Sequence, residues 1–373
     1  MSVNRPAFET PETGREDRQF SARYWREVLR WLAILLLFLE LLARVFLVRA
    51  PVLEYEPGWG VVPVADSYSM QGREGFAVTH YHQHGEVETP FRGPATINVV
   101  VLGDSTVQAA HVPNEKNFVS LTETSLRREG IPVDFKNLAR SRRSVADHVY
   151  IAPALNAAFF PDYLIVQVNF TNFALSYYPT QENRFIDDGL GGQAFLHRAS
   201  NETEYLALQN LLKRSSLFAF AELRLKTLLE GVPVGFARLI SNETGAVESP
   251  AVISAPQGDY ESKILAQVGA LQAAYPNSRI IFLVIPYAPT VTWQEKLDIN
   301  WVSRNDEELA RILASVDGVH VLNARDAFAG FYREYNVFPR GTFNTAFNFG
   351  HLNEHGHLAV AQALTEFMEH LLR

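Results

Sequence analysis

The stretch INVVVLGDSTVQ, residues 97–108, decides the fold. Its first six residues are apolar except for Asn98 and rich in valine, which predicts a buried strand at 97–102. Gly103, Asp104 and Ser105 follow at the point where a helix should begin, and glycine allows the chain to turn sharply there. A buried strand that turns directly into a helix is typical of a parallel sheet covered by helices.

The alternation of strands and helices continues along the chain. Further strands are predicted at 133–137, 163–169, 279–285 and 319–322, and helices at 117–129, 144–158, 259–275, 304–316 and 354–372. We therefore expect an α/β fold over 96–373, a three-layer α/β/α sandwich with a central parallel sheet. A polar stretch with a long helical pattern near 203–230 interrupts the alternation, and we interpret 177–257 as an insertion.

The N-terminal part contains an apolar run at 31–48, WLAILLLFLELLARVFLV, about one bilayer core long. Only Glu40 and Arg44 interrupt it, four positions apart on one helical face, where they can pair or meet a membrane-protein partner. We expect one transmembrane helix before the α/β domain. The predicted segments are a disordered tail at 1–30, the anchor at 31–49 and an extended lead-in at 50–95.

The charges around this run predict its orientation. Arg23, Arg26 and Arg30 precede it, which favours a cytoplasmic N-terminus and an extracytoplasmic domain, periplasmic or on the cell surface. The 373 residues carry 33 basic and 41 acidic side chains, a net charge of -8, which argues against nucleic acid as a partner. The chain has no cysteine, which excludes disulfides, thiolate metal sites and a cysteine nucleophile.

Three groups of residues suggest acyl-transfer chemistry. Ser105 is a candidate nucleophile at the mouth of a helix, although Asp104 or Ser105 could serve only as the helix N-cap. His351 in NFGHLNEHGH is the candidate general base. Asn172, after the strand at 163–169, could donate to an oxyanion together with backbone amides of Ser105 and of the loop after 137, or could simply form a turn.

Histidine-rich stretches raise the alternative of a metal site. His351, His355 and His357 could be drawn as ligands, but no HExxH-type spacing is present, and we expect His357 to pack and His355 to face solvent. In THYHQHG, residues 79–85, the histidines alternate as on a surface strand. We predict no metal and no cofactor.

Taken together, these blocks resemble the SGNH or GDSL-type serine hydrolases over about 54–373. The resemblance implies that Ser105 is the nucleophile, that Asn172 donates to the oxyanion and that His351 is the base. The family's oxyanion glycine would be replaced by Ala139, and the Asp that usually follows the oxyanion Asn is Phe173 here. An N-terminal anchor is similar to an envelope branch of the family that acts on O-acyl groups of glycans.

The family's Asp-x-x-His block reads Asn348-Phe349-Gly350-His351 here. An Asn348 amide can hold the His351 tautomer but cannot balance the charge of an imidazolium. Asp326 or Glu354 could supply the missing carboxylate instead.

A basic run lies beside the expected oxyanion loop, formed by Arg140, Arg142 and Arg143. It could be a solvated face, or one of the arginines could bind an anionic sugar or a phosphate of the substrate.

Two hypotheses follow. The first is a membrane-anchored serine esterase or O-acyltransferase that acts on ester-linked acyl groups, with acetyl as the expected group, of cell-envelope glycans. The second is a catalytically weakened subunit of the same fold that serves as a structural or interaction component of a membrane complex. A carbohydrate-binding module that uses the same cleft is a third, minor alternative.

Overall fold

A computed structural model describes the chain with gaps. The described residues are 14–46, 51–71, 74–89, 95–179, 181–187, 193–197, 210, 215–218, 260–287, 289–294, 296–345 and 348–373, with the side chains of 14–22, 44–46, 293, 294 and 296–298 outside the description.

The first elements precede the main sheet. They are helix α1 (Gly14–Phe46) and strands β1 (Leu53–Glu56), β2 (Gly60–Pro63), β3 (Ser67–Gln71) and β4 (Ala77–Tyr81). The next part of the chain contains β5 (Ile97–Leu102), α2 (Ser105–Gln108), α3 (Phe118–Arg128), β6 (Val133–Asn137), α4 (Val145–Tyr150), α5 (Ala152–Phe159), β7 (Tyr163–Val168) and α6 (Phe170–Leu175).

The last part begins with two strands of the predicted insertion, β8 (Asn183–Asp187) and β9 (Gln193–His197). It continues with α7 (Tyr260–Ala274), β10 (Arg279–Val284), β11 (Thr290–Gln294), β12 (Lys296–Asn300), α8 (Arg304–Ala314), β13 (Val319–Asn323), α9 (Arg325–Tyr335) and α10 (Glu354–Leu372).

The central sheet has five strands in the order β13-β10-β7-β5-β6, and every pair is parallel. Its three inner strands, β10, β7 and β5, are buried on both faces. In β5, Val99 and Val101 belong to one hydrophobic cluster while Val100 and Leu102 belong to the other. Since successive side chains of a strand point to opposite faces, both faces must be covered. The α/β class and the parallel sheet between two helical layers are therefore confirmed.

The two helical layers can be read from these clusters. On one face, buried residues of α4, α5, α7 and α8 pack against the sheet, for example Leu155, Leu271 and Leu313. On the other face the packing comes from α3, α9 and α10, for example Leu126 and Leu364.

The predicted strands and most helices agree with the structure to within a few residues. The predicted helix at 144–158 is divided into α4 and α5, because Ile151 ends the first and Pro153 sits at the start of the second. Helix α9 and the β11–β12 hairpin were not predicted. Most of the predicted 203–230 helix lies outside the described residues.

The lead-in forms two antiparallel hairpins, β1–β2 and β3–β4. Trp59 and Val62 are buried in the core, and Val87 forms a bridge with Asn137 at the edge strand β6. The lead-in is therefore packed against the domain, and its β3–β4 loop is carried to the carboxyl edge of the sheet.

Helix α1 contains residues 31–46 of the predicted anchor, and it begins at Gly14, within the stretch predicted to be a disordered tail. Many of its large apolar side chains between Trp31 and Leu42 are exposed, whereas the Glu40 carboxylate accepts hydrogen bonds from Ser215 Oγ and the amides of Ser216 and Leu217 at 2.8–2.9 Å. The Arg44 side chain and residues 47–50 lie outside the description. Among the described residues, none of the helices has the length and apolar character needed to cross a membrane.

The turn from β5 into α2 requires a glycine for reasons of space. A Cβ at Gly103 would lie 2.5 Å from Val107 Cγ2 and 2.8 Å from Gln167 Oε1. We expect Gly103→Ala to lower the free energy of unfolding by about 1–3 kcal/mol, because neighbouring atoms must shift. Denaturant unfolding measures this change. Gly269→Ala in α7 is the matched control, since nothing lies within 4 Å of its Cβ position; an equal loss in both variants would contradict the steric explanation.

Candidate active site

The site lies at the carboxyl edge of the parallel sheet. β5 is where the strand order reverses, with β6 on one side and β7 on the other. In such sheets a crevice opens outside the carboxyl ends of the strands at this position. Ser105 follows β5 and is the first residue of α2. The topology therefore places the predicted nucleophile where open α/β sheets bind ligands.

Asp104 fixes the turn that presents Ser105. Its amide donates to Gln167 Oε1 at 3.1 Å, and its Oδ1 accepts from Thr106 N at 2.8 Å as the N-cap of α2. The N-cap alternative considered for Ser105 therefore applies to Asp104, and the Ser105 side chain is left for other contacts.

His351 contacts the serine directly. Its Nε2 lies 2.7 Å from Ser105 Oγ, although the two residues are 246 positions apart. The loop that carries His351 is held by the buried Arg340, which donates to Gly350 O at 2.9 Å and to Pro286 O at 2.7 Å. The predicted nucleophile and base thus form the hydrogen bond that activates a serine.

Glu74 supplies the carboxylate that is missing from the block Asn348-Phe349-Gly350-His351. Its Oε2 lies 2.6 Å from His351 Nδ1 and accepts from the His351 backbone amide at 3.0 Å. A Cβ on Gly350 would lie 3.0 Å from the same Oε2, and Gly350 has φ +86°, so glycine is needed for this approach. Ser105, His351 and Glu74 therefore have the contacts of a nucleophile, base and carboxylate triad.

The loop that carries Glu74 is anchored at its next residue. Gly75 N donates to Thr342 Oγ1 at 2.8 Å and to Asn344 Oδ1 at 2.7 Å. A Cβ on Gly75 would lie 2.6 Å from His111 O. The β3–β4 loop is thus fastened to the segment before His351, which fixes Glu74 beside the imidazole.

The electrostatics favour a charged Glu74. Burial, the largest single influence, raises the pKa of its carboxyl, but the hydrogen bonds and charge of His351 together outweigh burial and lower the pKa to about 2. His111 lies beside His351, with ring centroids 5.2 Å apart. Its Nε2 donates to Leu352 O at 2.7 Å, and burial lowers its pKa. A neutral His111 adds no second positive charge beside His351.

This lowered pKa predicts how Glu74 stabilises the fold at acid pH. A carboxyl whose pKa is lower in the folded state stabilises it above the unfolded pKa and loses that contribution as pH falls through the folded pKa. The folding free energies of the wild type and Glu74→Gln should therefore converge as pH falls from 4.5 towards about 2. Urea unfolding across this window measures the difference; a difference that stays constant would contradict the prediction.

Asn348 does not contact the His351 ring nitrogen, which corrects its predicted catalytic position. Its backbone is left-handed, with φ +56°, and its Nδ2 donates to Pro289 O at 3.0 Å. Glu74 occupies the position at Nδ1 instead. The two alternative carboxylates are also engaged elsewhere, since Asp326 pairs with Arg325 and Glu354 with Lys116.

The geometry predicts no gain from restoring an acid at 348. In Asn348→Asp the donor to Pro289 O is lost, and a carboxylate oxygen faces that carbonyl. We expect no faster turnover of a model ester than in the wild type, and a loss of about 1–3 kcal/mol in the free energy of unfolding. Kinetics with a model ester and denaturant unfolding test both parts. A large increase in turnover would show that Asn348, and not Glu74, limits the base.

The three predicted oxyanion donors, the amides of Ser105 and Ala139 and the side chain of Asn172, differ in whether they already donate a hydrogen bond. The amide of Ser105 has no acceptor within the described part of the chain, as expected for the first residue of a helix. Ala139 N already donates to Asn137 Oδ1 at 3.2 Å. Asn172 Nδ2 lies 3.2 Å from Asp104 Oδ2 and 3.4 Å from Arg143 O. The Ala139 amide is therefore already engaged in a hydrogen bond. The Asn172 side-chain amide must give up its contact with Asp104 or with Arg143 O before it can donate to an oxyanion.

Two of the three arginines of the basic run, Arg140 and Arg143, are buried and not solvated. Arg140 is buried and donates to Val61 O and His84 O, and the buried Arg143 donates to Trp59 O at 3.1 Å. Burial lowers the pKa of both guanidinium groups. These two arginines fasten the lead-in to the loop after β6, which corrects their predicted position as substrate contacts. Arg142 is exposed and stays a candidate.

The remaining predicted histidines lie as expected. His355 is exposed, whereas His357 is fully buried and accepts from Phe118 N at 3.2 Å through Nδ1. Burial lowers the pKa of His357 well below its usual value. These two rings do not form a ligand set with His351.

Comparisons with known proteins show only distant likenesses. No family model and no curated protein matches the chain. Among solved structures it is similar to TesA, at 11% identity over 74% of this chain and 99% of that chain, with a TM-score of 0.37. It is also similar to the psychrotrophic esterase EstA from Pseudoalteromonas sp., at 12% identity over 74% and 99%, with a TM-score of 0.36.

A third likeness is to an acetyl xylan esterase, Est2A, from Butyrivibrio proteoclasticus, at 12% identity over 77% of this chain and 67% of that chain, with a TM-score of 0.33. The functional assignment therefore rests on the contacts of Ser105, His351 and Glu74.

Proposed function

We propose that the protein is a serine esterase that cleaves acyl esters through an acyl-enzyme on Ser105. The observation that carries this proposal is the continuous chain of contacts from Ser105 Oγ to His351 Nε2, at 2.7 Å, and from His351 Nδ1 to Glu74 Oε2, at 2.6 Å. A serine, an imidazole and a carboxylate in this order perform nucleophilic acyl transfer.

The first half of the reaction forms the acyl-enzyme. His351 Nε2 takes the proton from Ser105 Oγ as this oxygen bonds to the ester carbonyl carbon, and Glu74 balances the imidazolium that results. The Ser105 amide donates to the carbonyl oxygen as it becomes negative. When the bond between carbon and the alcohol oxygen breaks, His351 returns the proton to the alcohol that leaves.

The second half removes the acyl group. His351 takes a proton from water, whose oxygen bonds to the acyl carbon, and then returns that proton to Ser105 Oγ as the carboxylic acid leaves. A sugar hydroxyl in place of water would give transfer to a glycan rather than hydrolysis. The two reactions share the acyl-enzyme and differ only in the acceptor.

We further propose acetyl and similar short acyl esters of cell-envelope glycans as the substrate class. The blocks around Ser105, Asn172 and His351 resemble the SGNH or GDSL-type serine hydrolases, and the predicted N-terminal anchor before them is similar to the family's envelope branch, which supports this choice. Ester hydrolysis by the purified full-length chain tests it, with 4-nitrophenyl acetate, butyrate and octanoate beside acetylated xylan and mannan fragments. We expect acetyl substrates to be preferred. A folded protein that hydrolyses none of these esters contradicts the esterase proposal.

Membrane attachment through residues 31–48 is a separate part of the proposal, with the N-terminus cytoplasmic and the α/β domain outside. It is supported by the exposed apolar side chains of α1 and by the preceding arginines. Extraction of membranes with alkaline carbonate tests it on the full chain. Protein retained in the membrane pellet supports the proposal, and protein released without detergent contradicts it.

The main observation that motivated the alternative, a catalytically weakened subunit with a structural role, has another explanation. The alternative was motivated by Asn348 in place of a carboxylate, and Glu74 supplies that carboxylate. The hypothesis also drew on Phe173 and on the charged pair Glu40 and Arg44 inside the apolar run; in the structure Glu40 accepts hydrogen bonds from Ser215, Ser216 and Leu217 of its own chain.

A further inference from the structure

Two histidines and an aspartate meet at the open end of the β3–β4 hairpin, away from the loop that carries Glu74. Asp66 precedes β3, His80 lies near the end of β4, and His82 follows it. One ligand atom from each of these residues lies within 4.8 Å of the other two. His80 Nε2 is 4.0 Å from Asp66 Oδ1. The cluster thus joins the two ends of one hairpin.

A second carboxylate orients the central imidazole. His80 Nδ1 lies 2.9 Å from Glu88 Oε2, and the other oxygen of Glu88 is 3.9 Å from His82 Nε2. When Nδ1–H of His80 donates to Glu88, its Nε2 carries a lone pair that faces Asp66. Metal-binding histidines usually donate their second ring N–H to a carboxylate in this way.

The donor set suits a zinc ion. Imidazole and carboxylate are common zinc ligands, with ligand distances near 2.0–2.2 Å in a tetrahedral arrangement. Two ligands at such distances are about 3.4 Å apart. The 4.0 Å separation between His80 and Asp66 therefore needs a shift of about half an ångström, and no pair of the three ligand atoms needs more than about 1.4 Å, because all lie within 4.8 Å of one another. A cavity of about 530 Å³ lined by Asp66, His82 and Glu86 gives access from one side.

We propose that Asp66, His80 and His82 bind one Zn²⁺, with Glu88 orienting His80, and that the ion clamps the hairpin that carries Glu74. The strands Ser67–Gln71 and Ala77–Tyr81 connect the cluster to the Glu74 loop. The ion would hold the hairpin in place and would not contact Ser105. Its effect on catalysis rests on the proposed esterase function, but zinc binding itself does not depend on that function. The sequence pattern of alternating histidines did not reveal the site because Asp66 and Glu88 lie outside it.

Binding is tested on the full-length, untagged Ser105→Ala protein, so that the result does not depend on esterase activity. After chelator treatment, calorimetric titration with Zn²⁺ should give one site per chain. We expect His82→Asn to abolish this site and Glu88→Gln to weaken it by about 10- to 100-fold. His84→Asn is the matched control, because His84 bonds to Glu56 in the same histidine tract. Absence of binding, or equal loss in the His84 variant, overturns the site.

The clamp is tested on the active protein by comparing zinc-free and zinc-loaded enzyme. Zinc should raise kcat for a model ester with little change in KM, since it fixes Glu74 and does not touch substrate. Asp66→Asn should remove this response, whereas His84→Asn should keep it. If zinc binds at the proposed residues but changes neither kcat nor KM, the binding site is supported and the proposal that the ion clamps the hairpin is contradicted.

Discussion

Replacing Ser105 with alanine is expected to remove nearly all ester hydrolysis while the protein stays folded. The loss should reach about 10⁶-fold in kcat, the size found when a serine protease loses its nucleophile. The physical reason is that Ser105 Oγ is the atom that bonds to the acyl carbon, and its contact with His351 Nε2 at 2.7 Å has no substitute among the described side chains. Ester kinetics and labelling by a fluorophosphonate probe measure the loss.

A remote serine gives the control for this substitution. Ser125 lies on α3, away from the carboxyl edge of the sheet, and Ser125→Ala should keep both hydrolysis and labelling. If Ser105→Ala hydrolysed esters as the wild type does, another nucleophile would carry the activity and the proposed site would be wrong.

The second large effect is expected from Glu74→Gln. Glutamine has the same length and its amide oxygen can still accept from the His351 backbone amide, so the loop can keep its place. It cannot balance an imidazolium, and the same change of acid to amide in a serine protease costs about 10⁴-fold in turnover, about 5.5 kcal/mol of barrier. We expect a loss of this order in kcat.

Two other carboxylates provide matched controls for Glu74. Asp326→Asn and Glu354→Gln change acids that the sequence offered as alternatives, and both are paired on the surface with Arg325 and Lys116. Their kcat should stay within about twofold of the wild type, because surface pairs of this kind contribute little. A large loss of kcat in either variant, together with an active Glu74→Gln, would show that the substituted residue, and not Glu74, is the catalytic carboxylate.

The sheet could be predicted because its signal is local. Valine-rich runs such as 97–102 and 163–169 are buried on both faces, and the glycine after the first run has no room for a side chain. Helix α9 was missed between the predicted strand at 319–322 and the His351 loop. Its first residue follows Ala324, whose side chain makes no capping hydrogen bond, so the sequence gives no clear start signal.

The site could be predicted only in part. Ser105 and His351 stand in recognisable blocks, and their contact is confirmed by the geometry. Glu74 could not be found in this way, because it lies 277 positions from His351 in the stretch QGREG, residues 71–75, whose glycines indicate a turn but not a catalytic acid. A catalytic carboxylate depends on tertiary approach, and the lead-in gave no reason to expect its hairpin at this edge of the sheet.

The three arginines after β6 show a different failure of the sequence-based prediction, in which structural residues look like surface or substrate-binding residues. A run of Arg140, Arg142 and Arg143 looks solvated in sequence, since buried arginine is rare. The structure buries the first and third because backbone carbonyls of the lead-in, at Val61, His84 and Trp59, receive their hydrogen bonds. Sequence periodicity in a loop cannot show such long-range partners.

The most direct test of the triad is the rate at which Ser105 reacts with a fluorophosphonate, followed by intact mass and by mapping the modified peptide. The wild type and Asn348→Asp should form the adduct on Ser105 with rates that differ by less than about tenfold, whereas Glu74→Gln should react more slowly by about 10³- to 10⁴-fold. Equal rates for Glu74→Gln and the wild type, or an adduct on a residue other than Ser105, would contradict the assignment of Ser105, His351 and Glu74.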